Sequence, residues 1–221
     1  MILKIASRRS PLAIAQVDEV LSELNQHHAS IQFDCIFLDT IGDKDQKTSL
    51  RSLDKTDFFT KEIDELLLNK SCRIAIHSAK DLPNPLPNGL TMVALTNGVD
   101  SSDSLILPPG VTPANIKQSP MIATSSERRE EAVSKMIPHA VFTDIRGNVN
   151  QRLQILDEEK VDGLVVAEAA IIRLGLTHLN RFKLPGETTA LQGQLAIIAR
   201  SRDKEMGELF SVIDCRALSY E

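Results

Sequence analysis

Lys80 and Asp81 set an ammonium beside a carboxylate near the end of RIAIHSAKDLP, residues 73–83. Ile74, Ala75 and Ile76 read as a strand buried on both faces, as in a parallel sheet. The polar run His77-Ser78-Ala79-Lys80-Asp81 follows at once and is stopped by Pro83. It therefore sits at the carboxyl edge of a strand, where open α/β sheets bind their ligands. A carboxylate next to an ammonium at such an edge is more than solvation requires. A polar loop closed by the turn-forming Asp-Leu-Pro accounts for the same residues, so the rest of the chain must decide.

The arginines are placed unevenly. Arg8 and Arg9 occupy the first strand-to-helix turn, Arg128 and Arg129 the turn after residues 121–123, and Arg146 and Arg152 flank the next. Arg173 lies in the helix beyond the following strand. A planar guanidinium binds carboxylates bidentately, and a helix N-terminus adds to its pull. Any one of these arginines could be an ordinary surface residue; their recurrence at equivalent strand ends points to a cleft for a polyanion. Phosphates and carboxylates both fit this pattern. With neither a GxxxxGK[ST] loop nor a GxGxxG turn, a nucleotide is not expected. Ser10 with Pro11 makes an N-cap and a first-turn proline. Ser125 and Ser126 lack a GxSxG context and read as capping or anion-binding groups. His77 has no partner at HExxH spacing, so no metal is expected.

Elements that could position these residues alternate along the chain. Strands are expected at residues 2–6, 31–38, 74–76, 92–95, 121–123, 141–145, 163–167 and 195–199, with helices between most of them. Residues 42–57 are charged and aperiodic and read as a mobile loop, and residues 96–104 as a crossover. The pattern implies α/β architecture with largely parallel sheets in two domains, without a detectable sequence repeat. Domain 1 is expected to hold residues 1–96 and 191–213, domain 2 residues 97–190, and residues 214–221 form a tail. At 221 residues either domain can bury a core, and 42% hydrophobic with 25% charged residues is ordinary for a globular chain. A net charge of −5 argues against generic nucleic-acid binding. No apolar run approaches a bilayer span, and the first residues are too short for a signal-peptide core, so a cytoplasmic monomer without a membrane partner is expected. Cys35, Cys72 and Cys215 are odd in number and lack metal spacing, which argues against a disulfide framework.

The co-linear stretches ASRRSPLAIAQ, DFFTKEIDELLL, RIAIHSAKDLPNPLPNGL, IATSSERR, DIRGNVNQRLQILDEEKVDGLVVAEAAIIRLGL and LQGQLAI resemble the porphobilinogen deaminase (hydroxymethylbilane synthase) family. The resemblance implies two domains of periplasmic-binding-protein type II-like architecture with the active site in an interdomain cleft. It implies a cytoplasmic transferase of haem and porphyrin biosynthesis. That enzyme joins four porphobilinogens into a linear tetrapyrrole, hydroxymethylbilane, with one ammonia released at each step. Asp81 matches the catalytic aspartate of the HSxKD motif and Lys80 stands beside it. Lys80, Arg8, Ser10, Ser126, Arg128, Arg129, Arg146, Arg152 and Arg173 match positions that bind acetate and propionate arms.

Departures accompany the match. Family members carry a dipyrromethane primer on a cysteine of a third, α+β domain, which is expected to be absent here. Cys215 is the weak candidate for attachment, at what reads as a frayed end, and no covalent primer is expected. Ser102 stands where an arginine is usual, Gln194 replaces a small residue, and residues 54–57 read DKTD in place of a glycine-rich run. Two readings stay open: a deaminase that holds its primer differently, or a non-catalytic module that clasps a polycarboxylate.

Overall fold

The computed structural model describes residues 1–49, 51 and 57–216. Asp54, Lys55 and Thr56 of the expected mobile loop lie outside the described residues, as do residues 217–221 of the expected tail. β1 (Ile2–Arg8) alternates exposed and buried positions, then turns fully inward at Ile5, Ala6 and Ser7. Ser10 caps α1 (Pro11–His27), its hydroxyl accepting the Ala13 N–H at 3.3 Å, with Pro11 in the first turn where no N–H is needed. β2 (Gln32–Leu38), the single turn α2 (Ile41–Lys44), α3 (Lys61–Leu68), β3 (Ile74–Ser78) and β4 (Leu90–Leu95) follow. Next come β5 (Asp103–Ile106), β6 (Met121–Ala123), α4 (Glu127–Met136), β7 (Val141–Thr143), α5 (Val149–Asp157), β8 (Gly163–Ala167) and α6 (Glu168–Arg173). β9 (Arg181–Lys183), β10 (Leu195–Arg200) and α7 (Lys204–Phe210) complete the order.

The chain divides into two compact units. One holds Met1–Lys44, Lys55–Val99 and Gly193–Glu221; the other holds Asp45–Asp54 and Asp100–Gln192. The first is built on a sheet of order β2-β1-β3-β10-β4. Period-two alternation along its central strands separates two cores. Ile74, Ile76 and Ile197 face Val17, Val20 and Leu24 of α1 and Met206 and Phe210 of α7. Ala75, Ala196 and Ile198 face Ile63 and Leu67 of α3. Each fully buried Leu, Ile or Phe side chain contributes about 1.5–3 kcal/mol.

The second unit repeats that topology, with order β7-β6-β8-β5-β9. In both sheets the first three strands are parallel, and the fourth (β10 or β5) runs antiparallel to both of its neighbours. Leu105, Ile122 and Val165 of this sheet pack on Ala132 and Val133 of α4 and on Ile137. Gly163 opens β8 because a Cβ there would lie 2.8 Å from Ile122 Cδ1 and 2.9 Å from Leu107 Cδ2.

The fold is therefore mixed α/β, and the sheets are less parallel than the sequence pattern implies. Half of their strand pairings are antiparallel, since β10 and β5 each return between two strands. β5 lies partly within the stretch expected as a crossover, and its polar start, Asp103-Ser104, hides a strand whose four residues are all buried. β9 has three residues and a single intermediate Phe, too little for a periodic signal. His77 and Ser78 extend β3 instead of leaving it, because they pair with Ala196 and Leu195 of β10.

One buried charge on α3 makes a test. Asp64 is 5% exposed, and burial pushes its carboxyl up to about 6, against the lowering pull of the Thr60 hydroxyl and with a smaller push from Asp57. Among the described residues, neither Thr60 Oγ1 nor Asp64 Oδ2 has a partner in good hydrogen-bond geometry. Because the folded value is raised, the folded state binds the extra proton between the unfolded value and about 6. The stability that Asp64 allows is full below pH ~4 and is lost as pH rises through 6. Asp64→Asn is expected to stabilise the protein by on the order of 2 kcal/mol at pH 7.5 and by nothing at pH 4. Thermal unfolding at the two pH values measures this, and an equal effect at both would refute the assignment.

Candidate functional site

In the first unit, the carboxyl ends of β1 and β3 and the start of α1 enclose a cavity. Ser7, Arg8, Ser10, Gln16, His77, Ser78 and Asp81 line it, with Phe59 and Thr60 on the α3 side. Backbone and side-chain bonds tie its walls together. Ser7 Oγ donates to Ile76 O at 2.9 Å, and Gln16 Nε2 donates to Ser78 Oγ at 2.8 Å. The 3₁₀ turn Ala79–Asp81 is anchored where Ala79 N donates to Gln194 O at 3.0 Å.

Arg8 is held on two sides. Its Nε lies 3.1 Å from both carboxylate oxygens of Asp43, its Nη2 also bonds Asp43 Oδ1, and its guanidinium stacks 4.5 Å from the centroid of Phe59. Gly42 makes that stacking possible, since a Cβ there would fall 2.4 Å from the Phe59 ring. Burial alone would raise the Asp43 carboxyl, but Arg8 and the Thr40 N–H and hydroxyl hold it below the usual carboxylate range. His77 is pushed down to about 4, first by burial and then by the charge of Arg8, so it is neutral at pH 7.

Asp81 differs from Asp43 and from Asp103, the strand-end aspartate of the second unit. It is half-buried, lines the cavity, and its carboxylate makes no hydrogen bond to any of the described residues. Lys80 shares its 3₁₀ turn but is not among the cavity-lining residues.

The second unit places its candidates at the matching edge of its own sheet. Ser126 is the N-cap residue of α4; its carbonyl accepts from Arg129 N and Glu130 N, each at 3.0 Å, while its hydroxyl makes no cap bond. Arg128 Nη2 and Arg129 Nη2 each reach one oxygen of Asp103 at 2.6 Å. Arg128 also donates to Glu187 O at 3.0 Å. Gln192 Nε2 adds a third bond to Asp103 at 3.0 Å. Burial would raise the Asp103 carboxyl, yet Arg129 and Arg128 hold it below its ordinary value. Arg146 Nη2 donates to Asp45 O at 2.6 Å and Arg152 Nε to Gly147 O at 2.8 Å, around the capped start of α5. Arg173 ends α6 and is half-buried. Arg128 and Arg129 thus form one pair on a shared carboxylate, while Arg146 and Arg152 are held by backbone carbonyls.

Four residues of these edges escape sequence reasoning: Gln16, Asp43, Asp103 and Gln192. Gln16 leaves a trace, being a polar residue on the buried stripe of α1 with Ala13, Val17 and Val20. Asp103 leaves a weaker one, a carboxylate at the head of the apolar run SLIL. Asp43 lies in a polar stretch where nothing distinguishes it, and Gln192, within the matched stretch LQGQLAI, carries no sign of its partner.

A family model described as porphobilinogen deaminase, dipyromethane cofactor binding domain, matches residues 3–208. The chain belongs to the porphobilinogen deaminase family. A probable porphobilinogen deaminase of Chlamydia muridarum is 40% identical over 88% of this chain and 80% of its own length. One of Chlamydia pneumoniae is 36% identical over 97% and 91%, and a porphobilinogen deaminase of Nostoc is 34% identical over 96% and 68%. Solved structures share the fold at low identity. Lipoprotein Tp32 of Treponema pallidum has a TM-score of 0.61 at 9% identity, covering 99% of this chain and 93% of its own. The regulatory domain of OxyR2 from Vibrio vulnificus has 0.55 at 14%, covering 96% and 94%. These neighbours are of the periplasmic-binding-protein type II class, and so is this fold.

All three cysteines are free thiols. Burial pushes Cys35 up, and burial pushes Cys72 up to about 11 against a lesser opposing charge from Arg200. Cys215 is not the frayed end that the sequence suggests. Its N–H donates to Leu95 O at 2.8 Å, Asp214 accepts the Leu95 N–H at 3.0 Å, and its Sγ lies 3.5 Å from Thr96 O. No cysteine lines the cavity that holds Asp81. A thiol whose thiolate is disfavoured and covered reacts slowly. Iodoacetamide at pH 7.5 is therefore expected to leave Cys72 unmodified in the folded protein and to label it once unfolded. Peptide mass mapping reads the outcome, and rapid native labelling of Cys72 would contradict its burial.

Proposed function

We propose that this protein works in tetrapyrrole biosynthesis as a porphobilinogen deaminase-type transferase, joining four porphobilinogens and one water to give hydroxymethylbilane with release of four ammonias. The observation that carries the reading is Asp81, a carboxylate without a hydrogen-bond partner among the described residues, on a cavity lined also by Arg8 and Ser10. In each step the aminomethyl C–N bond breaks, ammonia leaves with the bonding pair, and an azafulvene cation remains, delocalised onto the pyrrole N–H. An anionic Asp81 stabilises that cation where water would be a weaker and less ordered partner. A pyrrole α-carbon then attacks three of these cations and water the fourth, giving the hydroxymethyl end, and the proton each nucleophile loses needs an acceptor, for which Asp81 is suited. Arg8, Ser10, Ser126, Arg128, Arg129, Arg146, Arg152 and Arg173 are proposed to receive acetate and propionate arms, with Lys80 adding charge beside Asp81. Two carboxylates per pyrrole explain why a chain of net charge −5 concentrates arginines at strand ends.

The family's dipyrromethane fits this chain only in part. Its carboxylate arms suit the arginine donors, whereas a thioether suits none of the three cysteines: two are disfavoured by burial and the third is packed against Thr96 and Gln194. No step above runs through it. The three free thiols and the lack, among the described residues, of a helix long and apolar enough to cross a membrane fit work in the cytoplasm. The second reading, a polycarboxylate-binding module without turnover, draws on that same want of a suitable thiol.

Incubation with porphobilinogen, followed by acid oxidation and absorbance, tests turnover directly. Asp81→Ala is expected to abolish product with the fold intact, and Asp81→Glu to keep part of the rate, its charge displaced by about a methylene. Wild-type turnover in the alanine variant would remove Asp81 from the mechanism; binding without turnover in the parent would favour the module. Arg146→Leu and Arg152→Leu are each expected to weaken porphobilinogen binding by ~1.5–3 kcal/mol. Calorimetric titration measures this, and unchanged affinity in both would take these arginines out of the site. Intact-mass spectrometry of protein from porphobilinogen-producing cells is expected to return the unmodified 24.4 kDa chain. A dipyrromethane adduct on Cys215 would overturn the non-covalent reading.

A further inference from the structure

Asp103 opens β5 with 1% exposure, opposite Ala167 at the end of β8. The corresponding strand of the first sheet, β10, opens opposite Ser78 with an apolar residue, Leu195. The second unit thus buries a charge where the same topology elsewhere accepts a hydrocarbon. Burying a carboxylate is costly unless it is paired and hydrogen-bonded. Here it takes Arg128 Nη2 and Arg129 Nη2 at 2.6 Å each and Gln192 Nε2 at 3.0 Å. Arg128 and Arg129 are consecutive in the first turn of α4, so their like charges would otherwise repel and splay.

We propose that Asp103 is a positioning residue, which fixes this arginine pair so that their remaining nitrogens present one carboxylate-sized site. Among the described residues, Arg128 Nε and Arg129 Nε and Nη1 make no hydrogen bond. The pair with its aspartate carries a net charge of one, which matches one carboxylate arm. Asp103 cannot itself be displaced by a ligand, because the strand and Gln192 hold it out of solvent. The first unit uses the same device, with Asp43 holding Arg8 by Nε and Nη2, and Nη1 makes no hydrogen bond among the described residues. This inference rests on the proposed role of these arginines in receiving substrate carboxylates.

The test compares Asp103→Asn, Arg129→Leu and the double variant by calorimetric titration with porphobilinogen and with its dimethyl ester. Thermal unfolding establishes that each variant is folded. Asp103→Asn is expected to weaken porphobilinogen about tenfold, the scale of one charge-assisted hydrogen bond, and to leave the ester within twofold. The double variant is expected to lose less affinity than the sum of the two single losses, since Asp103 acts through Arg129 as well as through Arg128. If Arg129→Leu loses affinity while folded Asp103→Asn does not, or if the two losses add, the positioning role fails. If Arg129→Leu binds as the parent does, the carboxylate-receiving reading itself fails. Should Asp103→Asn not fold, Gln192→Met removes one donor from Asp103 and keeps the charge. It is expected to cost about threefold for the acid and nothing for the ester; an unchanged acid affinity would overturn the proposal.

Discussion

A guanidinium at the edge of a sheet needs a partner to hold its direction, and in both units that partner is an aspartate. Asp43 takes Arg8 with two nitrogens, and Asp103 takes one nitrogen from each of Arg128 and Arg129. Without such anchors the long side chain samples several rotamers, and each carboxylate it bound would have to order it afresh. With them, charge is displayed at a set place. The anchors also explain how the carboxylates stay ionised out of water, since cationic hydrogen bonds outweigh the effect of burial at both.

That arrangement depends on a topology used twice. Three parallel strands put their carboxyl ends on one edge of each sheet, and helices α1 and α4 begin there, adding exposed N–H groups to the arginines beside them. The antiparallel fourth strand then brings its amino end to that same edge. This is how Asp103, distant in sequence from Arg128, meets it, and how Gln194 O comes to anchor the turn that carries Asp81. A wholly parallel sheet would have sent those ends to the opposite side.

Asp81 stands out against this background of paired charge. Asp43 and Asp103 are consumed by arginines, Asp64 is pushed toward its neutral form by burial, and His77 is neutral at pH 7. Asp81 alone among these carries a carboxylate into the first unit's cavity without an internal partner among the described residues. In the proposed reaction that singularity has a chemical sense, because a cation-forming condensation calls for an anion that is not already neutralised.

Local signals were enough for much of the protein. The apolar run Ile74-Ala75-Ile76, Pro11 behind Ser10, and the strand at residues 121–123 announce themselves through spacing and turn chemistry. What spacing could not convey is pairing across the chain. β5 and β9 are too short and too polar at their ends to show a period, and only their neighbours make them strands. Cys215 looks free because the bonds that hold it come from Leu95 and Thr96, more than a hundred residues earlier. The partners Asp43, Asp103 and Gln192 lie in stretches whose meaning depends on which arginine arrives beside them. A side chain's chemistry is written at its own position; its ionisation, direction and availability are set by groups that only the tertiary structure brings within three ångströms.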